Sequence, residues 1–449
     1  MSRRPCLPSH LILRRIFIHS PVTDHSSIIV MKKKSSISLA ALLLAIGSAS
    51  LCLMPDHASA QAPASATAAL KQQAVRAEMG KPFSEIEALI KDKQFPQALE
   101  KIKLLDAFEN KTAYEMFSID RMRAVVASST GNNELLANAF ESMIKTDFVT
   151  AAEKLKYIEG MAGAFYNEKK YDQSKQWTLR YLALDNSSIP MHELLARTLY
   201  LQEDYVGASK ELNQQLQADD QANRVPSHDK LHLLISCYLK LKDTTGYTAV
   251  LERMVAHYPK KEYWADLLYR IPNKPNFSER LRLDWYRLML ATDSLEEAPQ
   301  YVEMTELALL AGLPVEAKKV VDAGYTANML GVGKDAAKHK QLRDKVNKQA
   351  ADDIKSMEAG EAAAKAAKNG VGMVNMGYNY VINAQAAKGI ALIEQGIAKG
   401  GLKAPEEAKL HLGMAYLQAG NKAKAAEIFK TIQGTDGTAD LSKLWLLVR

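Results

Sequence analysis

Cysteine is scarce in this sequence. Only three of its 449 residues are cysteine, and Cys237 is the only one beyond position 60. A single cysteine cannot form an internal disulfide, so we expect the body of the chain to be stabilised by packing alone. The setting of Cys237 in "LLISCYLKL" is typical of a small buried side chain, with a nucleophilic role as the weaker alternative.

Aromatic residues and excess charge are also limited. Aromatic residues make up 7% of the chain, whereas hydrophobic residues make up 47%. Abundant Ala, Leu, Lys and Glu favour helices over a β-rich core. The formal charge of +7 is concentrated at the N-terminus, where 7 of the 58 basic and 2 of the 51 acidic residues precede position 61. The remaining 51 basic and 49 acidic residues give no electrostatic reason to expect a nucleic-acid partner.

The first sixty residues predict export. Three lysines at 32–34 precede an apolar run at 37–54, and Ala58 and Ala60 form a small-residue cleavage site. This order is that of a secretory signal peptide. We therefore predict a signal peptide over 31–60, cleavage after Ala60 and a periplasmic mature protein, with 1–30 as a mis-called upstream start.

Two alternatives to cleavage remain open for this segment. The apolar run is only slightly shorter than a membrane span, so it could be a retained anchor, although Gly47, Ser48 and Ser50 weaken that interpretation. Cys52 could carry a lipid, but Leu51 stands where a lipobox requires a small residue. We expect no stable membrane insertion after cleavage.

A pattern of small and large residues recurs about every 34 residues, which indicates an array of like units. In "LHLGMAYLQAGNKAKAAEIFK" the pattern consists of small Gly413 and Ala425, large Tyr416 and Phe429, and Gly420 between them. Other residues fall at repeat positions in the preceding units, namely Ala98, Ala162, Ala196, Ala208, Gly312, Ala317, Gly377 and Gly389.

These positions have a physical interpretation. Gly413 and Ala425 allow two antiparallel helices to approach closely, and Tyr416 and Phe429 are expected to fill the space between this unit and its neighbour. Gly420 is expected to supply the turn after the first helix, where a Cβ can be unfavourable. We interpret all of these residues as structural.

The pattern resembles the tetratricopeptide repeat (TPR), a helix–turn–helix unit of 34 residues. The phrase "LGMAYLQAGNKAKAAEIF" carries the resemblance most clearly, and the resemblance extends over about 80–434. It implies an all-α fold, a right-handed α-solenoid of about eight to nine units. The chain as a whole is similar to exported repeat proteins of Gram-negative bacteria. The units are predicted to begin near Met79, Phe117, Leu155, Ile189, His228, Ala298, Gly370 and Glu406.

Departures from the pattern suggest a domain organisation. The "IPNKPNF" segment at 271–277 contains two prolines and must interrupt any helix. The charged, Ala-rich stretch after Gly331 predicts one long helix or two stacked ones, largely solvated. The predicted parts are a flexible lead-in at 61–78, a main array at 79–331, a charged helical spacer at 332–369, and a C-terminal pair at 370–449 whose last helix, 439–448, caps the exposed end.

Signatures of enzyme chemistry are weak in this sequence. His228 and His232, in "HDKLH", have the spacing of two metal ligands on one helix face, but the glutamate of an H-E-x-x-H motif is missing. The more economical interpretation is a solvated or groove-facing pair. "GVGKD" at 331–335 lacks the spacing and preceding strand of a phosphate loop. We therefore expect a non-catalytic protein that needs no cofactor and no metal.

The resemblance implies a concave surface made by the first helices of successive units. By the family's pattern, the side chains on that surface are Arg121, Tyr166, Asn167, Arg197, Tyr200, His232, Lys240, Tyr378 and Gln418. The lysine–asparagine clamp of some relatives is missing, because those positions hold Glu159 and Gly163, then Glu193 and Arg197. We expect Tyr166, Arg197 and Tyr200 to be the principal anchors for a protein or peptide partner.

Three functional classes follow from these observations. The leading one is a non-catalytic periplasmic adaptor or scaffold that holds a protein or peptide in its groove, in envelope assembly or secretion. The alternatives are a cell-envelope enzyme with an unrecognised site and a structural module that assembles end to end.

Overall fold

The computed structural model describes residues 74–448, and in that range it contains twenty α-helices and no strand. The predicted all-α class is confirmed. The chain divides into two compact units, called here unit 1, which ends at Gln215, and unit 2, which begins at Leu216. The predicted signal peptide, its cleavage site and most of the lead-in lie outside the described residues.

The helices are numbered in chain order. The first eight are α1 (Ala77–Lys91), α2 (Phe95–Asp106), α3 (Ala113–Thr130), α4 (Asn133–Met143), α5 (Ala151–Asn167), α6 (Tyr171–Leu184), α7 (Ile189–Leu201) and α8 (Tyr205–Gln221). The other twelve are α9 (His228–Leu241), α10 (Thr244–His257), α11 (Lys261–Arg270), α12 (Arg282–Ala291), α13 (Ala298–Leu310), α14 (Pro314–Thr326), α15 (Ala336–Ala366), α16 (Val371–Ile382), α17 (Ala386–Lys399), α18 (Pro405–Gln418), α19 (Lys422–Thr431) and α20 (Thr438–Trp445).

Most helices pack in consecutive pairs as hairpins, such as α1 with α2 and α5 with α6. Each predicted unit start lies at most four residues from the beginning of the first helix of a pair. The "IPNKPNF" segment lies between α11 and α12, outside both helices, as the two prolines predicted. The repeat in the sequence therefore corresponds to a repeat of helical hairpins.

Six hairpins have the same three-residue turn. Its middle residue is left-handed, with φ between 59° and 78°. The N–H of the next residue donates to the carbonyl five residues earlier, over 2.8–3.0 Å, which is the helix-terminating bond of a Schellman motif. Gly420 has this conformation (φ 78°), which the predicted turn requires. The six middle residues are Lys93, Lys169, Glu203, Gly312, Ala384 and Gly420.

Small residues lie where the helices of a hairpin approach. A Cβ on Gly377 would come within 2.7 Å of the backbone oxygen of Gly389 on the partner helix. Phe429 occupies a different place from the one predicted, because its ring lies against Gly413 within its own hairpin. Tyr416 does contact the preceding hairpin, since its hydroxyl donates to Glu394 over 2.6 Å.

The stretch predicted to be a spacer forms one helix of 31 residues, α15. It packs against α14 on one side and α16 on the other. Arg343 donates to Asp322 of α14 over 2.8 Å, and Asn379 of α16 donates to Asp353 over 3.0 Å. The helix therefore belongs to the packed body of unit 2, held on a narrow stripe of His339, Val346, Ala350, Met357 and Ala364, all buried.

The C-terminal helix differs from the predicted cap of an exposed end. Helix α20 packs not only on α18 and α19 but also on α12. Lys274 pairs with Asp440 over 2.8 Å, and the N–H of Ser278 donates to the carbonyl of Asp436 over 2.8 Å. The C-terminal end of unit 2 thus packs against α12 and against the segment between α11 and α12.

Candidate functional site

Five of the predicted partner-binding residues lie in unit 1, on the first helices of three successive hairpins. Arg121 belongs to α3, Tyr166 and Asn167 end α5, and Arg197 and Tyr200 belong to α7. Asn167 is exposed and the other four are half-buried. These side chains are therefore accessible, and most of them are partly held by packing.

Charged side chains of α3 and α7 influence tyrosines of α5. Burial raises the pKa of Tyr157 on α5 to about 12, and the charge of Arg121 on α3 opposes that rise. Burial likewise raises the pKa of Tyr166 on α5, and the charge of Arg197 on α7 opposes it. The charges of Arg121 on α3 and of Arg197 on α7 thus both act on tyrosines of α5.

Two tyrosine pairs recur on this surface 34 residues apart. The rings of Tyr166 and Tyr171 meet edge to face with centroids 5.9 Å apart. The rings of Tyr200 and Tyr205 do the same at 5.3 Å. Edge-to-face packing is a favoured aromatic geometry. We call these four residues the tyrosine surface.

The recurrent turn explains why the rings meet. Lys169 and Glu203 hold the same left-handed position in their two turns. Each turn brings the first residue of the second helix back beside the last turn of the first helix. Gln202, in the second turn, also donates to Asp172 at the start of α6 over 2.6 Å. The tyrosine surface is therefore a consequence of the repeat, not an isolated pair of contacts.

A shallow depression of about 540 Å³ adjoins the tyrosine surface. It lies between the two turns, and its lining residues are Lys169, Lys170, Tyr171, Asp172, Gln173, Lys175, Gln202 and Asp204. The lining mixes both signs of charge, so the depression favours a polar segment over a purely apolar one.

The other four predicted residues lie in unit 2 and differ in exposure. Lys240 on α9 and Gln418 at the end of α18 are exposed. His232 contacts His228 and Tyr263, in a cluster described below. Tyr378 is only 2% exposed, so its side chain packs inside unit 2 and is not available to a partner.

Tyr378 is buried because it belongs to a charged cluster. Its ring stacks on His411 with centroids 5.0 Å apart, and the Arg287 guanidinium carbon lies 4.6 Å from its centroid. Arg287 donates to Asp284 over 2.6 Å and to both oxygens of Glu316 over 2.7 Å. We call Asp284, Arg287, Glu316, Tyr378 and His411 the buried charge cluster.

The charges in this cluster compensate one another. Burial alone would raise the pKa of Asp284, but the charges of His411 and Arg287 outweigh it and lower that pKa to about 2. Burial opposes the charge of Arg287, yet Glu316 and Asp284 hold its pKa well above the usual value. Buried charges persist in proteins when they are paired and hydrogen-bonded in this way.

The same region contains three groups with the proximity of metal ligands. Asp284, Glu407 and His411 offer ligand atoms within 4.8 Å of one another. However, Arg287 already donates to Asp284, and Arg280 donates to Glu407 over 2.7 Å. Two guanidinium groups therefore already supply positive charge to the two carboxylates, which opposes the binding of a metal ion there.

The described cysteine does not support nucleophilic chemistry. Cys237 is buried, as predicted. Burial raises the pKa of its thiol to about 12, which keeps the sulfur protonated at neutral pH. Since the thiolate is the reactive form, this environment opposes a role as nucleophile.

The comparisons with known proteins add little to this description. Neither a protein-family model nor a curated protein sequence matches the chain. Solved structures do align with it along most of its length. The structure of Naa15/Naa10 bound to HypK-THB gives 14% identity and a TM-score of 0.28, covering 81% of this chain and 63% of that one.

The other two alignments are looser. The crystal structure of yeast Tom70 gives 12% identity and a TM-score of 0.20, over 85% of this chain and 95% of that one. The APC/C hetero-tetramer Cut9–Hcn1 gives 12% identity and a TM-score of 0.17, over 81% of this chain and 82% of that one. Superpositions of this quality carry no argument about family or partners. Among residues 74–448, no helix combines the length and apolar character needed to cross a membrane.

Proposed function

We propose that this protein is a non-catalytic scaffold of the TPR type that binds a protein or peptide on the tyrosine surface of unit 1. The observation that carries the proposal is the recurrence, 34 residues apart, of two half-buried edge-to-face tyrosine pairs beside Arg197. Tyrosine and arginine are enriched among the residues that contribute most to binding energy.

The packing of these tyrosines favours binding. Each ring already has one aromatic neighbour that restricts its rotation, so less conformational entropy is lost when a partner binds. The phenol combines a large apolar area with a polar edge. Arg197 adds donors in a fixed planar geometry that suits carboxylate or carbonyl groups of a peptide.

The repeat type rests on internal evidence. Six hairpins share one turn conformation and one terminating hydrogen bond, and close helix crossings coincide with small residues such as Gly377 and Gly389. Helical hairpins repeated in this manner provide extended surfaces for partners.

The place of action is part of the proposal. The export signal predicted at 31–60, with its cleavage after Ala60, supports the proposal that the protein acts in the periplasm of a Gram-negative bacterium, and we extend the proposal to envelope assembly or secretion. Mass spectrometry of the periplasmic fraction should find a chain that begins at Gln61 and carries no lipid. A mature N-terminus at Cys52 bearing acyl chains would contradict this part.

Capture of a partner tests the binding surface. The variant Tyr166→Ala/Arg197→Ala/Tyr200→Ala should bind the partner cross-linked to the wild type at least about 2 kcal/mol more weakly. Its helicity should be unchanged, because none of the three residues occupies a small crossing position.

A matched control separates this surface from other exposed side chains on the second helices of unit 1. Leu104, Leu179 and Leu184 are exposed apolar residues on α2 and α6, and their triple alanine variant should bind normally. The proposal fails if the control loses the partner while the tyrosine variant keeps it. Turnover of a cell-wall substrate, or concentration-dependent self-assembly, would support the enzyme or the structural module instead.

A further inference from the structure

Two histidines and a tyrosine converge in unit 2, away from the buried charge cluster. His228 and His232 occupy the first and fifth positions of α9, and Tyr263 lies in the first turn of α11. The Nε2 atom of each histidine is 2.8 Å from the Tyr263 hydroxyl oxygen. The two imidazole centroids are 4.3 Å apart.

The hydrogen-bond inventory of these groups is informative. A tyrosine hydroxyl carries one proton, so it can donate to only one of the two imidazoles and must accept from the other. One Nε2 therefore carries hydrogen and the other presents a lone pair. Two imidazole nitrogen atoms thus lie within hydrogen-bonding distance of one phenol oxygen.

We propose that His228, His232 and Tyr263 form a binding site for a divalent first-row transition-metal ion of the Cu²⁺, Ni²⁺ or Zn²⁺ class. Imidazole ligands suit these ions, with Cu²⁺ bound most tightly in the usual order. This site is distinct from the proposed partner surface, because its three residues lie in unit 2 and the tyrosine surface lies in unit 1.

The distances are compatible with coordination after a small adjustment. In a tetrahedral site with bonds near 2.0–2.1 Å, ligand atoms are roughly 3.3 Å apart. The observed 2.8 Å separations must therefore widen by about half an ångström, which side-chain rotation can supply. Three protein ligands leave at least one position for water.

Coordination balances as a proton exchange. The histidine whose Nε2 carries hydrogen shifts it to Nδ1, so its imidazole stays neutral. Tyr263 coordinates as the phenolate and releases its proton to solvent, which couples binding to pH. No oxidant or reductant is required.

The surroundings both help and limit binding. Tyr258 packs edge to face on His228 at 5.1 Å and donates to the carbonyl of Pro226 over 2.8 Å, which fixes the orientation of His228. The positive charge of Lys260 opposes a metal cation at His228 and His232, whereas the negative charge of Asp229 favours one.

Titration of the metal-free full-length protein with Cu²⁺, followed by calorimetry, tests the site. Wild type should bind one ion. His228→Ala/His232→Ala and Tyr263→Phe should each weaken that binding by at least about tenfold. His192→Ala, which removes an imidazole in unit 1, should leave it unchanged.

Electron paramagnetic resonance of the Cu²⁺-loaded wild type gives an answer that does not depend on the variants folding. It should show hyperfine splitting from two nitrogens. The proposal is overturned if no single-ion site is found, if the double variant or Tyr263→Phe binds as tightly as wild type, or if the spectrum lacks the two nitrogens.

Discussion

The two units use the same hairpin but connect their hairpins differently. In unit 1, side-chain hydrogen bonds join neighbouring hairpins, as in Arg180 with Glu141, which are 39 positions apart. In unit 2, Arg280 reaches Glu407 and Asp436, which are 127 and 156 positions away, and Arg287 reaches His411 at 124. In unit 1 the contacts connect neighbouring hairpins. Unit 2 is closed, in the sense that its C-terminal helices contact residues of α12 and just before it.

This difference separates two roles. In a locally connected array each hairpin is stabilised by its neighbours, and the exposed first helices remain available as a surface. A unit that is closed by long-range contacts unfolds more cooperatively. Its inward side chains, however, are buried in packing contacts, as Tyr378 is. The tyrosine surface therefore lies in unit 1 and the buried charge cluster in unit 2.

The largest expected effect comes from breaking the buried charge cluster. Arg287→Ala leaves Asp284 and Glu316 buried without their partner and should cost about 3–5 kcal/mol of unfolding free energy. Urea unfolding followed by tryptophan fluorescence measures it, since Trp264, Trp285 and Trp445, three of the four tryptophans, lie in unit 2.

An arginine of unit 1 is the matched control. Arg180 pairs with Glu141 with both side chains more than a third exposed, so Arg180→Ala should cost about 1 kcal/mol or less. Equal losses for the two variants would mean that the cluster does not hold unit 2 together.

A smaller effect is expected from adding one methyl group at a helix crossing. Gly377→Ala places a Cβ within 2.7 Å of the Gly389 oxygen, and this overpacking should cost about 1–3 kcal/mol. Gly163 on α5 of unit 1 has no atom within 4 Å of the equivalent Cβ position. Gly163→Ala should therefore stabilise the protein by up to about 1 kcal/mol through helix propensity. Thermal unfolding of both variants checks the signs, and the same sign for both would contradict this packing account.

A pH dependence that belongs to unit 2 is also expected. Burial lowers the folded-state pKa of His232 to about 4, below the value of about 6.5 in an unfolded chain. The folded state thus favours neutral His232, so its contribution is complete above pH 6.5 and is lost as the pH falls towards 4. Urea midpoints measured with a chelator present should fall over this window, and the fall should be smaller in His232→Phe. An identical fall in that variant would assign the effect to other groups.

The sequence predicted the features that depend on neighbouring residues. Spacing of small residues and the helix–turn–helix period depend on local packing, so the hairpin starts and the turn at Gly420 could be found without coordinates. Lys169 and Glu203 adopt the same turn without glycine, and nothing in their residue type indicated it.

Features that depend on distant residues could not be predicted. The spacing of His228 and His232 indicated a pair on one helix face, but their third neighbour, Tyr263, comes from another hairpin. Tyr378 was expected on a groove from its repeat position alone. That position carries no information about Arg287 and His411, which cover its ring. The packing of α20 on α12 likewise depends on chain closure, which the repeat pattern does not encode.

Native-state hydrogen exchange of the full-length protein tests the contrast between the units most directly. If unit 2 is closed by its long-range contacts, α12, α18 and α20 should exchange through one cooperative opening with a common free energy, whereas α3, α5 and α7 of unit 1 should show graded, separate openings. If α18 and α20 instead open at lower free energy while α12 stays protected, unit 2 is an ordinary locally connected array and the account is contradicted.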